Sequence, residues 1–481
     1  MLCLTAPSHD LGLRCLRNTV SSGRVYRPLR PKIEARYLAT TASRLEPLPS
    51  SNNRLGQDTP FDRLGGSPKA FKASAKPDHL LNARYRSVRY GVRLFEGEGV
   101  PPLSLLFENG ELKIYDEAEN HSTRVPGRWL RDNCSDSRHN DTAQRQINVF
   151  KGDLNTDIAN CEIAGDHITV TFGDGHKSRF PVASILKRRG HKMTQARFGI
   201  APISIWDTDV AKAPPTVPYS AMVHKAGMAS LLHKIRTWGF CVVENMPATP
   251  QATEQLLESI GPIRNTHYGA FYDFTADLSS KDTAYTSEAL EPHTDNTYFT
   301  EPAGLQALHM LSHTEGSGGE SSLVDGFGAA VQLYVEDREA YLTLSETGVY
   351  AHASGNEGIS IQPSQAFPTL SHDPELGYLT QVRWNNADRA GVAADFDALD
   401  QWYDAAGKFD KILNDPKNQY WFQLEPGQTL LFDNWRVLHG RAAFTGKRRM
   451  CGGYIPRDDF ISKYRMMCLS AEDINFSTVT G

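Results

Sequence analysis

The chain has 481 residues, of which 40% are hydrophobic and 22% charged, and its formal net charge is −5. That length exceeds what one domain ordinarily holds, so two domains and an unstructured end are expected. The slightly acidic balance argues against a nucleic-acid surface, and no apolar run reaches the roughly 18 to 20 residues that span a bilayer.

At the N-terminus Arg14, Arg17, Arg24, Arg27, Arg30, Lys32, Arg36 and Arg44 face only Asp10 and Glu34. Arg-rich, Ser-containing, acid-poor composition predicts a mitochondrial transit peptide and a matrix location. A basic tail on a cytoplasmic protein is the plainer alternative. From Leu45 onward Pro, Ser, Asn and Gly dominate, so residues 1–78 are read as transit peptide and linker. Seven scattered cysteines, odd in number and never in a CxxC pair, argue for a reducing compartment rather than a disulfide framework.

Residues 79–200 read as a small β domain. Leu112 to Tyr115 and His167 to Phe172 form strand-like runs between the turn signals Asn109-Gly110 and Gly173-Asp174-Gly175. A Pro-bearing stretch, Ala211 to Pro218, leads into a second domain at 215–472. There Met228, Leu231, Leu232, Ile235 and Trp238 keep a helical stripe that Gly239 closes, and a strand follows at Phe240 to Val243. Thr249-Pro250 opens the next helix, with Leu256, Leu257 and Ile260 on one face and Gly261 at its end. Short strands then dominate, interrupted by one helical interval near Ala329 to Leu344. Glu425-Pro426-Gly427 turns into a strand at Thr429 to Phe432, and Thr445-Gly446 reads as a hairpin turn into Met450 to Ile455. The fold class predicted is mainly β with flanking helices: a double-stranded β-helix (jelly roll) plus the small N-terminal β domain.

His293-Thr-Asp295 carries the chemistry. On a strand, residues i and i+2 share a face, so the imidazole and the carboxylate can reach one ion. Two His and one carboxylate on one side of Fe(II) leave positions open for a co-substrate and O2. The pattern alone is common, and His139-Asn-Asp141 is a second copy. What separates them is His439, in Asn434-Trp-Arg-Val-Leu-His-Gly-Arg441, with Arg448 downstream. A guanidinium there suits bidentate capture of the distal carboxylate of 2-oxoglutarate. His293, Asp295 and His439 are the candidate catalytic iron ligands.

At these residues the sequence resembles the family of γ-butyrobetaine and trimethyllysine dioxygenases, from about Leu105 to Tyr464. The resemblance lies in Arg128-Trp-Leu-Arg-Asp-Asn-Cys134, Asp282-Thr-Ala-Tyr-Thr286, His293 to Tyr298, Leu323-Val-Asp-Gly-Phe327 and Phe432 to Arg441. It implies a small N-terminal β domain followed by a jelly-roll oxygenase. Asp282, where the γ-butyrobetaine branch typically has Asn, and Gly452-Gly-Tyr-Ile-Pro-Arg-Asp-Asp459 resemble the trimethyllysine branch. That branch implies 3-hydroxylation of N6,N6,N6-trimethyllysine, with 2-oxoglutarate converted to succinate and CO2, as the first step of carnitine biosynthesis. γ-Butyrobetaine hydroxylation and an inactive 2-oxoglutarate-binding protein are the alternatives. Ascorbate as a helper and a homodimer are further expectations of the resemblance.

A trimethylammonium head has a fixed charge and no N–H, so aromatic faces are its natural receptor. Tyr268, Tyr272, Tyr285 and Tyr454 match the positions from which the family builds such a cage, with Tyr272 standing where relatives have Trp. Asn386, with Asn385 and Arg389, is the candidate for the substrate's polar end. A turn closed by the two asparagines is the bland reading of that segment. The resemblance also raises zinc, which γ-butyrobetaine dioxygenases bind through a CxCxxC run and a later His. Here the matching positions are Cys134, Asp136, His139 and His176. Zinc accepts such a mixed set, yet the loss of two thiolates favours an ordinary surface loop.

Overall fold

The structure, a computed structural model, describes residues 103–474 apart from 109, 117–120, 153, 187–202, 276–285, 356, 374–376 and 472. The N-terminal basic segment, the linker, Asp282 and Tyr285 lie outside the described residues.

Strands β1 (Leu103–Glu108), β2 (Glu111–Asp116) and β3 (His121–Pro126) form one antiparallel sheet, with helix α1 (Gly127–Asp132) following. A second antiparallel sheet holds β4 (Ile158–Ala164), β5 (His167–Phe172) and β6 (Lys177–Pro181), and α2 (Val182–Leu186) closes this part. Strand alternation decides what is buried: Ile168, Val170 and Phe172 point into a core shared with Leu112, Ile114 and Leu130.

The larger part begins with β7 (Thr216–Pro218), α3 (Lys225–Trp238), β8 (Phe240–Glu244), α4 (Pro250–Ile260), β9 (Phe271–Thr275) and β10 (Leu290–His293). It continues with β11 (Leu305–Thr314), β12 (Ser321–Asp325), α5 (Gly326–Glu336), α6 (Arg338–Glu346), β13 (Gly348–Ala351), β14 (Phe367–Pro368), β15 (Leu370–His372), β16 (Leu379–Val382) and β17 (Arg389–Val392). It ends with α7 (Phe396–Leu413), β18 (Gln419–Phe422), β19 (Thr429–Asp433), β20 (Val437–Arg441), β21 (Lys447–Ile455) and α8 (Arg457–Cys468).

Two of its sheets form the jelly roll. The major sheet has the order β7-β8-β19-β11-β21-β9 and the minor sheet β10-β20-β12-β18. From β9 to β12, and again from β18 to β21, the chain changes sheet at every strand. That winding corrects one expectation: Thr445-Gly446 does not close a hairpin, because β20 belongs to the minor sheet and β21 to the major one. Gly446, at φ 81°, turns the chain across the gap between them.

Runs such as Thr429-Leu-Leu-Phe-Asp433 are buried throughout because both faces of the major sheet are covered. Leu430 and Phe432 meet Leu323 and Val437 of the minor sheet. Leu431 points outward to Leu231, Leu256 and Phe460 of α3, α4 and α8. On the far side of the minor sheet, α5, α6 and α7 pack over Val324 and Leu438. Burying one such Leu or Phe stabilises the fold by about 1.5–3 kcal/mol.

The expected helix ends hold. Gly239 caps α3 in the left-handed region at φ 83°, and the Thr249 hydroxyl accepts from the Ala252 N–H at the start of α4, with Pro250 at its first position. Other helices depart from the expectation. The single interval near 329–344 is two helices, split at Asp337, which ends α5 and caps α6 through its side chain. Helices α7 and α8 stand where strands and turns were expected. In α7 the buried Trp402, Ala405, Ala406, Phe409, Ile412 and Leu413 keep a regular helical stripe. Among the described residues no helix is long and apolar enough to cross a membrane.

Candidate active site

Strands β10 and β20 pair so that His293 stands opposite His439. The two rings lie 4.3 Å apart. His293 Nδ1 is 2.8 Å from the Glu291 carbonyl oxygen, a contact that needs an N–H, so the lone pair sits on Nε2. That Nε2 is 3.3 Å from Asp295 Oδ1, and His439 Nε2 is 3.8 Å from the same oxygen. Among the described residues, these three are the one group of His, Cys, Asp or Glu side chains whose ligand atoms all fall within 4.8 Å of one another.

The way Asp295 arrives differs from the strand geometry expected. Strand β10 ends at His293, its register already shifted since Leu290, and Asp295 sits in the turn beyond it. Asn296 follows at φ 62°, a left-handed conformation that Asn tolerates better than most residues. Asn434, between β19 and β20, holds this turn. Its Oδ1 accepts the Asp295 N–H at 2.8 Å, and its Nδ2 donates to the carbonyl oxygens of Asp295 and Ala303 at 3.0 Å each.

Burial alone would raise the Asp295 carboxyl, but the two histidines and the Tyr454 hydroxyl hold it well below the usual carboxylate range. His439 is pushed down to about 3 by burial and by the neighbouring His293. Burial also pulls His293 down, yet the hydrogen bond and charge of Asp295 outweigh it, so that imidazole rises. An ionised carboxylate beside a neutral imidazole draws positive charge to this spot, where a proton on His293 and a metal ion compete. Two nitrogens and one oxygen with an open side suit non-haem Fe(II).

The major sheet supplies the opposite wall. Phe432, Gln306 and Tyr454 lie in one row across β19, β11 and β21. Phe432 packs on His439 at 4.8 Å, and the Tyr454 hydroxyl donates to Asp295 Oδ2 at 2.7 Å. Between them Gln306 is only 3% exposed, and its Oε1 has no hydrogen-bond partner. Sequence reading passed over Gln306 and Asn434. The available signal was a polar residue within the apolar start of β11 in the first case, and an asparagine in the turn directly before the His439 strand in the second.

Arg448 shares the inner face of β21 with Tyr454, six positions along the strand. It is 5% exposed, whereas its neighbours Lys447 and Arg449 point outward to Glu315 and Asp273. Burial, with Arg441 nearby, pulls its pKa down to about 10. Its Nε has no partner, and among the described residues no carboxylate pairs with it. A buried guanidinium in that condition suits an anionic partner.

The expected aromatic residues are partly assembled. Tyr272 and Tyr454 meet edge to face at 5.6 Å, while the Tyr272 hydroxyl donates to the Ala307 carbonyl at 2.8 Å. Tyr268 lies on His267 at 3.8 Å and bonds to Tyr298, which in turn accepts from Asn296 Nδ2 at 3.2 Å. Tyr285 lies outside the described residues. Asn385 Oδ1 accepts the N–H groups of Ala387 and Asp388, and Asn386 Oδ1 accepts from Arg389 Nε at 3.1 Å, so this segment is a closed turn. Both asparagines line a small cleft with Trp384, Trp402 and Tyr350. Thr294 ties that turn to the His–Asp–His group through the backbone of Trp384.

Of the zinc positions, His176 Nε2 and Asp136 Oδ2 approach to 3.9 Å, but among the described residues no third ligand atom joins them. The Cys134 thiol donates to the Arg131 carbonyl, His139 Nδ1 accepts backbone N–H groups of its own turn, and His176 Nε2 bonds Ser178. The same turn accounts for the second His-x-Asp copy.

Residues 206–454 match the model of the taurine catabolism dioxygenase TauD, TfdA family, and residues 104–185 match that of the γ-butyrobetaine hydroxylase-like N-terminal domain. A Neurospora crassa protein named trimethyllysine dioxygenase is 43% identical over 385 residues, 71% of this chain and 80% of that one. The chain belongs to the trimethyllysine dioxygenase family. The human member, named as mitochondrial, is 37% identical over 355 residues, 71% of this chain and 82% of its own. Human γ-butyrobetaine dioxygenase shares 26% over 376 residues, 75% of this chain and 95% of its own. Membership makes this chain an iron- and 2-oxoglutarate-dependent dioxygenase, and the His–Asp–His group is the place where its residues fit the metal.

Proposed function

We propose that this protein hydroxylates N6,N6,N6-trimethyllysine at C3, consuming O2 and converting 2-oxoglutarate to succinate and CO2. His293, Asp295 and His439 would hold Fe(II), and Arg448 the distal carboxylate of 2-oxoglutarate. The observation that carries this reading is the convergence of three metal-ligand atoms within 4.8 Å between the two sheets that also bury Arg448. Bound there, iron would supply the O2 and C–H chemistry that side chains lack.

The protein's own part is positioning and exclusion of water. The Glu291 carbonyl fixes the His293 tautomer, and burial keeps His439 neutral, so both present lone pairs. Arg448 offers N–H groups in a dry setting, where a carboxylate partner offsets the cost of the buried charge. The edge-to-face pair Tyr272–Tyr454 offers ring surface to a trimethylammonium head, with Tyr268 and Tyr285 as further walls. C3 neighbours the α-carbon, so the polar end must sit close to the metal, and Asn386 is the candidate to meet it. The trimethyllysine choice is supported by relatives of that name at 36–43% identity, against 26% for human γ-butyrobetaine dioxygenase.

A mitochondrial location belongs to the same reading. It is supported by the Arg-rich, acid-poor first 44 residues and by mammalian relatives named mitochondrial. The function is tested by incubating the protein with Fe(II), ascorbate, 2-oxoglutarate and trimethyllysine and detecting, by mass, substrate that has gained one oxygen. Hydroxylated product that His293→Ala abolishes is expected. Undiminished turnover in that variant would remove His293 from the metal.

A further inference from the structure

We propose that Asn434 and Tyr454 are positioning residues that hold Asp295 at the metal by two separate grips, one on its backbone and one on its carboxylate. This rests on the reading of Asp295 as a metal ligand. The need for grips follows from the fold. Strand β10 stops at His293, so no ladder hydrogen bond fixes Asp295, and Asn296 beyond it turns left-handed. A ligand in a turn would wander unless something else over-determined it.

Asn434 supplies the first grip. Its amide takes both the N–H and the carbonyl of Asp295, as a neighbouring strand would, and its third bond reaches Ala303. Asn434 is 1% exposed, and its own N–H donates to the Gly304 carbonyl. The preceding residue, Asp433, is locked by Arg236 and Arg457. The same short loop runs directly into β20, which carries His439. Asp295 in its turn and His439 on β20 are thereby cross-linked by protein alone, before any metal arrives.

Tyr454 supplies the second grip. Asp295 Oδ1 faces both imidazoles, whereas Oδ2 accepts the Tyr454 hydroxyl at 2.7 Å, a charge-assisted bond. With Oδ2 occupied, one oxygen is left to bind and the other cannot swing in to take an open position on the metal. The hydroxyl thus has a task separate from the ring, which the proposed substrate cage uses.

Outer partners of metal ligands typically contribute roughly 10- to 100-fold to metal affinity. The test titrates the full-length, metal-stripped protein with Mn(II) alone, reading free Mn(II) by electron paramagnetic resonance, with a melting curve for each variant. Wild type should bind one Mn(II), and Asp295→Ala should bind none. Failure of either control would sink the ligand reading itself. Given those controls, Tyr454→Phe, which keeps the ring, and Asn434→Ala should each bind Mn(II) about 10-fold or more weakly. Asn434→Asp, which keeps the acceptor but loses both donors, replaces the alanine variant if that one does not fold. Tyr454→Phe within twofold of wild type would overturn the carboxylate grip. A folded Asn434 variant that melts lower yet binds Mn(II) normally would overturn the backbone grip, leaving Asn434 a purely structural residue.

Discussion

Three adjacent cations, Lys447, Arg448 and Arg449, show how much a single residue's facing decides. Strand alternation sends the first and third outward to carboxylates and the second inward, where burial lowers its pKa to about 10. A hydrogen-bonded charge in such a setting is worth about 1.5–3 kcal/mol. Arg448→Ala should therefore raise the KM for 2-oxoglutarate roughly 10- to 100-fold, while Arg449→Ala should change it less than about twofold. Steady-state kinetics varying 2-oxoglutarate checks both, and equal effects would mean that Arg448 does not face the co-substrate. At this scale the sequence was legible in placement: spacing and residue type single out His293, Asp295 and His439, which the fold brings within 4.8 Å, and Arg448, which it buries. It was illegible wherever a role depends on the gap between two sheets. Nothing local in Asn434 tells that its amide reads the backbone of a residue 139 positions away, nor that the Tyr454 hydroxyl reaches Asp295 across 159.

Among the elements, β20 brings His439 to the site, and two features seat it. Gly440 lies against both neighbouring strands: a Cβ there would stand 2.6 Å from Ser322 Oγ and 2.7 Å from the Leu290 carbonyl oxygen. Gly440→Ala should part β10 from β12, lower the melting temperature and weaken metal binding together. A variant that kept both would contradict the close fit. In the turn before the strand, Arg436 is 2% exposed and bonds both oxygens of Asp325 and the carbonyls of Thr237 and Ser204. Removing one partner of a buried pair costs about 3–5 kcal/mol, so Arg436→Ala should lose about that much in urea unfolding. A loss below about 1 kcal/mol would mean the pair is dispensable. The elements themselves were readable where caps and periods agree, as in α3 and α4. Helix α7 carried the same signal, with Trp402, Ala405, Ala406 and Phe409 at helical spacing, and was passed over within a strand-rich region. The division at Asp337 was hidden because both helices beside it bury apolar residues, so the stripe runs on through the break.

For the whole molecule, the alternation of strands between two sheets explains why the fold class was legible while the connections were not. Many short strands with few helices indicate a jelly roll, but a turn such as Thr445-Gly446 looks the same whether it closes a hairpin or changes sheets. The packed interior also sets an acid limit. His233 and His309 are buried neutral, with pKa values pulled down to about 4 by burial. Their unfolded value is near 6.5, so between about pH 6.5 and 4 the unfolded chain takes protons that the folded one refuses. Stability is thus full above pH 6.5 and falls as the pH drops through that window. Asp433, held low by Arg457 and Arg236 despite its burial, adds a loss of the same sign at still lower pH. Thermal unfolding should show a lower midpoint at pH 5 than at pH 7.5, and a midpoint unchanged or higher at pH 5 would contradict the buried neutral histidines. The central claim is the substrate, and it is tested most directly by comparing kcat/KM for trimethyllysine and γ-butyrobetaine with Fe(II), ascorbate and 2-oxoglutarate present. The account predicts hydroxylated product from trimethyllysine with γ-butyrobetaine turned over far more slowly or not at all. A preference for γ-butyrobetaine would contradict it, leaving the iron chemistry in place on a different substrate.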